Sequence, residues 1–401
     1  MAHLRKRYLT SLIERSLRFS PIVAVFGHRQ VGKTTLCEQI GGSYITLDQS
    51  ESLNLGLHSP TTLLNVINNS KDKGPLVIDE CQMAPPLFPA MKEWVRTHKK
   101  PGQLLLTGSV RFSSRKAIRE SLTGRTINWE LLPMCLSESH SAPLPHSIPI
   151  LLDSKGFEAD LKSSAYFTQA SYEVALYRGG LPGIFAVRDA VVRKQRFETQ
   201  IETLLERDLR LLIQTSLDYR TLRNLLGILA ARQTLPLDLS EISRAARISV
   251  PALRRLISAL EAMFILRLVE TEGNRRKPVL FFEDQGEASH LSGDRPDLLY
   301  HMTRFLFSNI RQQWVYRPDL EISLFQYRNR GGAFVPLALR SPRGLLGLIP
   351  MLNETPGRHE LASASSFIMS YPGARCIFTH LGKSDRMIGD AMRILPISSL
   401  V

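Results

Sequence analysis

The chain has 401 residues, with 51 lysines and arginines against 37 aspartates and glutamates, a formal net charge of +14. This length exceeds one compact domain, so we expect two or three domains. The basic balance favours an acidic partner, nucleic acid before an anionic membrane, and a solvated basic surface explains it equally well.

Four scattered cysteines and the N-terminal sequence argue against several classes of protein. The cysteines form no C-x-x-C pair, so they suggest neither a disulfide framework nor a zinc site, and they fit a reducing cytoplasm. The first 20 residues contain five arginines and lysines but no uninterrupted apolar segment, so no secretory signal is expected. No stretch approaches the ~18 apolar residues of a membrane span, so a cytoplasmic protein without a membrane partner is expected.

The chain begins with a predicted amphipathic helix over 8–19 and then a phosphate-loop motif. Pro21–Phe26 is apolar and β-branched, as expected of a strand buried on both faces of a parallel sheet. Gly27–Thr34, GHRQVGKT, matches G-x-x-x-x-G-K-[ST] in full, and a helix is predicted from Thr34. The backbone N–H groups of such a loop and of the helix N-terminus point at phosphates. The pattern therefore predicts nucleotide binding.

Each residue of the motif has an expected role. Lys33 would reach the β- and γ-phosphates as a cation, and the Thr34 hydroxyl would be a ligand of Mg²⁺. The residues expected to contact the nucleotide are Gly27, His28, Arg29, Gln30, Val31, Gly32, Lys33, Thr34 and Thr35. A chance match in a loop is the alternative, and the strand before and helix after the motif argue against it.

A second motif follows a glycine-proline turn. Leu76-Val-Ile is an apolar run that ends in Asp79 and Glu80, so both carboxylates are predicted at the carboxyl end of a buried strand. Ligands bind at this end of strands in α/β sheets. Asp79 is expected to hold Mg²⁺, directly or through water, and Glu80 to act as the general base on the attacking water. A helix N-cap pair is the alternative, because a helix is predicted shortly afterwards.

The next buried strand, Gln103–Ser109, also ends in polar residues. A hydroxyl there could orient the water between Asp79 and the γ-phosphate. Gly124-Arg125 then leads into a strand over Thr126–Leu131, so Arg125 is predicted at a helix-to-strand corner. The other elements predicted in this region are a strand over Ser43–Leu47 and helices over Leu57–Asn68, Leu87–Thr97 and Ser114–Leu122.

These segments resemble a known family. The segments GHRQVGKT, YITLD, LVIDECQMAPPLFPAMKEWV, LLLTGSV and SLTGRTINWELLPM are similar to those of bacterial and archaeal AAA-type ATPases that carry a C-terminal domain of unknown function. The resemblance implies a P-loop α/β fold of the additional-strand type, with helices on both faces of a parallel sheet, and ATP and Mg²⁺ as ligands. It implies Thr107 or Ser109 as the sensor and Arg125 as an arginine finger toward a neighbouring copy; an intramolecular acid partner for Arg125 is the alternative.

Four segments are expected along the chain. They are an AAA-type ATPase domain over 1–137, a linker or exposed excursion over 138–171, a helical lid with a winged helix-turn-helix over 172–285, and a nuclease-like α/β domain over 286–401. The linker prediction rests on the serine, proline and histidine content of SESHSAPLPHSIP. A long helix is predicted over Val191–Ile213, and its triplet Glu206-Arg207-Asp208 is expected to join lid helices through ion pairs.

The winged-helix prediction rests on two helices and two strands. Helices are predicted over Leu239–Arg247 and Pro251–Met263, and apolar residues of the second recur at helical spacing, which leaves Arg254 and Arg255 on its outer face. The predicted strands over Ile265–Glu270 and Pro278–Phe282 flank a turn that contains a basic cluster, Arg275, Arg276 and Lys277. Both clusters could contact double-stranded DNA. Subunit contacts and solvation of a basic face are the alternatives.

The last segment resembles a restriction-endonuclease-like fold that has lost its chemistry. In many relatives a helix and two strands of this region carry acids and a lysine that bind a metal and activate water. The corresponding residues here are Thr303, Pro336, Ile349 and Met351. None of the four suits a hard divalent cation, which prefers carboxylate and carbonyl oxygens. The sequence predicts a nuclease-like scaffold without nuclease activity.

The sequence therefore predicts an Mg²⁺-dependent ATPase. The winged-helix and C-terminal parts would move in response to the nucleotide state, and they would bind an unknown protein client or DNA. If Arg125 acts on a neighbouring copy, the protein would be a homo-oligomer. The alternative is a nucleotide-gated interaction or scaffold protein without significant hydrolysis.

Overall fold

The computed structural model describes residues 5–65, 74–111, 124–153, 155–273, 277–293 and 297–401. They fall into two compact units. The first unit contains the described residues up to Pro133, with Leu181–Gly183 and Leu260–Ile265. The second contains Met134–Gly180, Ile184–Ala259 and Leu266–Val401. Apart from the stretch 138–171, the finer division into four segments stays a prediction.

A five-stranded parallel sheet forms the centre of the first unit. Its strands are β1 (Ile22–Phe26), β2 (Tyr44–Thr46), β3 (Leu76–Asp79), β4 (Leu104–Gly108) and β5 (Thr126–Glu130). The order β2-β3-β4-β1-β5 places β4 between β1 and β3, as the additional-strand arrangement requires. Every residue of β1, β3 and β4 is buried, which explains their continuous apolar runs. The predicted α/β fold with a parallel sheet is confirmed.

The helices of this unit differ from the prediction at one place. They are Leu9–Leu17, Lys33–Ile40, Ser50–His58, Pro60–Leu64 and Leu87–His98, with a 3-10 turn at Cys81–Met83. The predicted helix over Leu57–Asn68 is wrong at its start, because one helix ends at His58 and Pro60 begins another. Proline lacks an N–H, so it suits the first position of a helix. The predicted helix Ser114–Leu122 lies outside the described residues.

From Met134 onward, most of the described helices come before the strands of a second sheet. The helices are Leu136–Ser139, Ser147–Leu152, Gln169–Arg178, Pro182–Phe185, Ala190–Thr203, Leu209–Leu212, Tyr219–Ala231, Leu239–Ala246, Val250–Ala262, Gln285–Ser292, Leu298–Ile310, Gln312–Val315 and Arg358–Ser370, with 3-10 turns at Pro318–Leu320 and Ile397–Ser399. Several start at an aspartate whose carboxylate accepts the first backbone N–H groups: Asp189, Asp218, Asp238, Asp284 and Asp297. In the described part of the chain, no helix has the length and apolar character to cross a bilayer.

The predicted helix over Val191–Ile213 is present as one continuous run over 190–212 that includes a π-helical turn. A π-helical turn, Leu204–Asp208, separates Ala190–Thr203 from Leu209–Leu212 and contains the acid-arginine-acid triplet. Glu206 pairs with Arg210 one turn later at 3.1 Å. This pair lies within one helix rather than between two, so its contribution to stability is small.

The second sheet combines antiparallel and parallel strands. Its members are β7 (Thr271–Glu272), β9 (Ser323–Arg328), β10 (Phe334–Ser341), β11 (Gly344–Pro350), β12 (Arg375–His380), β13 (Arg386–Ile388) and β14 (Met392–Pro396). Their order is β13-β14-β12-β11-β10-β9-β7, whereas β6 (Leu266–Val269) and β8 (Val279–Phe282) form a separate antiparallel pair. Pairing of β9 with β10 shifts between Val335 and Ala338, and Pro336 lies in this bulge because it has no N–H for the ladder.

The stretch 138–171, predicted as a linker or exposed excursion, packs into the second unit instead. Ile148, Leu151 and Phe157 are almost completely buried in a core that includes strand residues of the second sheet. The Ser147 hydroxyl donates to the carbonyl of Leu400 at 2.9 Å. The prediction failed because it weighted serine and proline over the apolar residues between them.

Candidate active site

The phosphate-loop motif joins β1 to the helix Lys33–Ile40 at the carboxyl edge of the first sheet. A Cβ atom at Gly27 would lie 2.4 Å from the carbonyl oxygen of Leu131. Gly32 has φ +98°, a backbone conformation that residues with a Cβ atom rarely adopt. The backbone therefore requires both glycines of the motif. The first turn of the following helix has N–H groups without helical acceptors, so this end of the helix suits an anion.

Lys33 is buried inside this loop. Its ammonium group donates to the carbonyl oxygens of Gly27 and His28 at 3.1 and 3.0 Å. Burial lowers the pKa of Lys33, and the negative charges of Glu80 and Asp79 oppose that shift. The two carbonyls are neutral acceptors, and hydrogen bonds from an ammonium to phosphate are stronger. An arriving phosphate would therefore compete well for this cation.

Asp79 is the centre of a hydrogen-bond cluster at the end of β3. One carboxylate oxygen accepts from the Thr34 hydroxyl at 2.8 Å and from the Tyr44 hydroxyl at 2.7 Å. The other oxygen accepts from the Thr107 hydroxyl. Burial, and then the hydrogen bond to Asp79, raise the pKa of Tyr44. Three neighbouring elements thus fix the orientation of the Asp79 carboxylate.

The pair Thr34 and Asp79 fits a magnesium ion. Mg²⁺ takes octahedral oxygen ligands at about 2.0–2.1 Å, which places adjacent ligand oxygens about 2.9 Å apart. The Thr34 hydroxyl oxygen and the nearer Asp79 oxygen are separated by 2.8 Å. Among the described residues there is no group of three or more histidine, cysteine, aspartate or glutamate side chains that could hold a metal ion. Further ligands would therefore come from phosphate oxygens and water, as is usual for this ion.

Glu80 has an unusual backbone conformation and two side-chain donors. Its φ and ψ are 54° and 42°, in the left-handed region. For a residue with a side chain this conformation costs on the order of 1 kcal/mol, and such strain is common at functional sites. One carboxylate oxygen of Glu80 accepts from the Ser109 hydroxyl at 3.1 Å and from the Gln82 amide at 2.5 Å.

The two candidate sensors, Thr107 and Ser109, occupy different places. Thr107 is completely buried, donates to Asp79 and accepts from the backbone N–H of Glu80 at 3.3 Å. Ser109 contacts the side chain of Glu80 and also accepts from the Gln82 amide at 3.2 Å. Ser109 is thus placed beside the expected base, whereas Thr107 orients the expected metal ligand.

Sequence reasoning missed Tyr44 and Gln82. Tyr44 lies on β2, and β2 pairs with β3 in a register that aligns Thr46 with Asp79. Strand order was therefore the information needed to place Tyr44 beside Asp79. Gln82 follows the two acids by two residues in a 3-10 turn, and its polar amide in that position was the available signal.

Arg125 lies at the opposite edge of the same sheet. The parallel strands β5 and β1 align Thr126 with Ile22, so Arg125 precedes β5 at the amino edge. The phosphate loop follows the carboxyl end of β1, so it lies on the order of 20 Å from Arg125 along the strands. The structure therefore does not bring Arg125 to the loop of its own chain. A finger role toward a neighbouring copy stays a prediction, which turnover by equal mixtures of R125A and E80Q protein would test.

The helices and the strand pair of the predicted winged helix are present. Leu253, Leu256, Ile257 and Leu260 are buried, whereas Arg254 and Arg255 are exposed, as the helical spacing predicted. Lys277 forms an ion pair with Asp238 at 2.6 Å, so part of its charge is already balanced. Arg275 and Arg276 lie outside the described residues. A winged-helix identity and DNA contact stay predictions.

Three of the four positions singled out by the resemblance to a nuclease-like fold line a cavity of about 260 Å³ in the second unit. Thr303, Pro336 and Ile349 line it, while Met351 is buried in an adjacent apolar core. Asp297 and Glu360 also line the cavity, and each stands at the start of a helix. The three predicted positions are thus brought together without an acid among them.

Two family models match the chain. A model described as an AAA domain matches residues 19–140, and a model described as a domain of unknown function matches residues 169–298. The predicted AAA-type P-loop domain followed by a domain of unknown function is confirmed at this level. The winged helix and the nuclease-like region stay predictions.

The chain is similar to proteins of bacteria and archaea. An uncharacterized protein of Mycobacterium tuberculosis is 25% identical over 420 residues, which cover 96% of this chain and 87% of the relative. An uncharacterized protein of Methanocaldococcus jannaschii is 26% identical over 240 residues, which cover 55% of this chain and 49% of the relative.

Solved structures to which the chain is similar include two archaeal proteins. A Walker-type ATPase of Pyrococcus abyssi has a TM-score of 0.42 and 15% identity, with 72% of this chain and 96% of that chain covered. A signal transduction ATPase with a tetratricopeptide repeat sensor from Pyrococcus horikoshii has a TM-score of 0.29 and 12% identity, with 76% of this chain and 45% of that chain covered.

Proposed function

We propose that this chain is an Mg²⁺-dependent ATPase of the AAA type. One observation carries the proposal: Thr34 of the phosphate loop is hydrogen-bonded to Asp79, and the next residue, Glu80, is hydrogen-bonded to Ser109. A phosphate-binding loop, a pair of hard oxygen ligands and a candidate base thus share the carboxyl edge of one sheet. The AAA model matched over 19–140 supports the same conclusion.

Some residues at this edge would bind the nucleotide and the metal ion, and one would accept a proton. Lys33 would turn from the carbonyls of Gly27 and His28 to the phosphates, and Thr34 and Asp79 would hold Mg²⁺. That ion, when bound, supplies charge neutralisation on the phosphate oxygens. Glu80 would accept a proton from the attacking water. In the described contacts both of its donors occupy one carboxylate oxygen, which leaves the other to accept that proton.

Glu80→Gln tests the proposed chemistry. General-base catalysis contributes about 10²–10⁴-fold, so the variant should lose at least about 100-fold in ATP turnover while its Kd for ATP stays within about twofold. Turnover is measured by phosphate release and Kd by titration calorimetry. Glu93→Gln, in the exposed i,i+3 ion pair with Arg96, is the matched control and should behave like the wild type. Full turnover in the Glu80 variant would contradict the role of this residue.

A nucleotide-gated interaction module is the alternative. In that case wild-type protein would bind ATP but release no phosphate above the Glu80→Gln level. The proposed role of the second unit, which is to respond to nucleotide state and bind a client, holds in both cases. Mass spectrometry of proteins retained by Glu80→Gln protein in cells would identify the client.

We further infer that the outer face of the helix Val250–Ala262 contacts double-stranded DNA. Arg254 and Arg255 are exposed on it, and Arg275, Arg276 and Lys277 are expected to add phosphate contacts. Each neutralised phosphate releases about 0.9 counterion, so replacing Arg254 and Arg255 with alanine should lower the salt dependence of binding by up to about two units. Replacing Lys277 should change it less, because this residue is already paired with Asp238.

Fluorescence anisotropy across a salt series measures this slope, with exposed Lys92→Ala as the charge-matched control for a single replacement. Light scattering on the same proteins tests the subunit-contact alternative. An unchanged slope together with an altered assembly mass would exclude DNA contact by this face.

A further inference from the structure

Arg7 lies two residues before the start of the helix Leu9–Leu17, and the residue is 6% exposed. One terminal nitrogen of its guanidinium donates to the carbonyl oxygen of Val31, inside the phosphate loop, at 2.7 Å. The other donates to the carbonyl oxygen of Leu132 at 2.6 Å. The backbone of Arg7 is held in turn, since its carbonyl accepts from the Thr10 hydroxyl at 2.9 Å. A buried cation thus bridges the loop and the segment after β5.

The Leu132 end of this bridge is rigid. The N–H of Leu131 donates to the carbonyl of Phe26 at 2.7 Å, which joins the segment to the end of β1. The carbonyl of Leu131 also approaches Gly27 so closely that a Cβ there would lie 2.4 Å away. Arg7 therefore connects the glycine-containing phosphate loop to a segment that is hydrogen-bonded to the end of β1.

The Val31 end determines the direction of one backbone donor. In a trans peptide the C=O and the following N–H point in opposite directions. Holding the Val31 carbonyl toward Arg7 therefore turns the Gly32 N–H away from Arg7. Glycine accepts both signs of φ at little cost, so the peptide before Gly32 could otherwise flip easily. The hydrogen bond from the Arg7 guanidinium therefore favours one of the two orientations of the peptide between Val31 and Gly32.

We propose that Arg7 is a positioning residue that aims the Gly32 N–H at the phosphates of the bound nucleotide. The inference rests on the proposed function and deepens it. Arg7 does not contact the reacting atoms, so its effect is on phosphate affinity. Two carbonyls in fixed positions need the planar fork of an arginine, and a lysine ammonium supplies charge without that fork.

The test compares Arg7→Ala and Arg7→Lys with Arg15→Ala, an exposed arginine of the adjacent helix. Titration calorimetry with MgATP and with magnesium pyrophosphate gives a Kd and an active fraction for each protein. We expect Arg7→Ala to weaken both ligands by at least about tenfold, Arg7→Lys to recover less than half of that loss on a logarithmic scale, and Arg15→Ala to bind like the wild type.

A residue that only stabilised the fold would lower the active fraction and leave the Kd of the remaining protein unchanged. Wild-type Kd values in Arg7→Ala, or in Arg7→Lys if the alanine variant does not fold, would overturn the inference. If wild-type protein bound neither ligand, the proposed function would fail as well, so the two failures are distinguishable.

Discussion

In each unit of this chain, a helix and strands bring a small group of side chains together, but the residue types differ. In the first unit, polar side chains follow β3 and β4 and the phosphate loop follows β1, so that Thr34, Asp79 and Glu80 meet at one edge. In the second unit, a helix and two strands also bring three positions to one cavity, but these are Thr303, Pro336 and Ile349. The backbone brings residues together in both units, and the side chains decide whether a metal or phosphate can bind.

The comparison also shows what the three residues at the cavity of the second unit do in place of binding a metal ion. The Thr303 hydroxyl donates to the Leu299 carbonyl of its own helix at 2.9 Å, and Pro336 creates a bulge in β10. Ile349 is almost completely buried. These residues contribute to packing and backbone geometry. In the first unit, by contrast, buried polar residues are retained at the cost of desolvating Lys33 and Asp79.

The largest expected effect is the loss of nucleotide binding in Lys33→Ala. A hydrogen bond to a charged group contributes about 1.5–3 kcal/mol, so the Kd for ATP should rise by about ten- to a hundredfold or more. Titration calorimetry measures the change, and circular dichroism checks that the variant is folded. Lys92→Ala, an exposed lysine of the same unit, should bind normally. An unchanged Kd in Lys33→Ala would remove the proposed contrast between the two sheets.

Much of the first unit could be predicted from sequence because its signals are local. The alternation of apolar strands and polar ends fixes β1, β3 and β4, and the glycines of the phosphate loop have specific backbone reasons. Tyr44 and Gln82 could not be placed because their roles depend on strand order and on a turn geometry. Arg7 was missed because its two acceptors are backbone carbonyls 24 and 125 residues away.

The second unit was less predictable because more of its structure depends on contacts between residues that are far apart in the sequence. Its stretch 138–171 contains turn-forming residues. It is nevertheless buried in part, because the apolar side chains of Ile148 and Leu151 share a core with strands nearly 200 residues later. Local composition describes propensity, and burial against distant strands overrides it. The helix Val250–Ala262 was predictable because its apolar spacing is contained in a single element.

A smaller effect concerns protons taken up on binding. Burial holds the pKa of Lys33 below 10.5 in the free protein, and a phosphate beside the ammonium would raise it again. Between these two pKa values the bound protein holds more proton than the free protein, so ATP binding should take up protons and weaken as pH rises through this window. The heat of binding measured in buffers of different ionisation enthalpy gives the uptake.

Lys33→Arg is the control for this uptake, because a guanidinium keeps its charge throughout the range. It should bind without the lysine-dependent component. If the same uptake persisted in Lys33→Arg, another group would be responsible and the environment proposed for Lys33 would be wrong.

The last prediction is the absence of an effect, and it concerns the cavity of the second unit. We expect no metal-dependent cleavage when the full chain is incubated with single- or double-stranded DNA or RNA in Mg²⁺ or Mn²⁺. The reason is that Thr303, Pro336 and Ile349 offer no carboxylate to hold a metal. Nuclease sites position water with such groups. The measurement is gel analysis of labelled substrates, with Lys33→Ala protein as the control for effects of the first unit.

Two carboxylates nevertheless border this cavity, and they make the test sharper. The Asp297 side chain accepts from the backbone N–H of Tyr300 at 3.1 Å, where it caps a helix, and Glu360 lies in the first turn of another. Cleavage that survived repeated purification and the Lys33→Ala change, and that disappeared in Asp297→Asn or Glu360→Gln protein, would show that these acids had replaced the missing ones. The contrast between the two sheets would then be one of metal position. If no such cleavage occurs, the two sheets differ in that, among the described residues, only the first has oxygen donors placed to hold a metal ion.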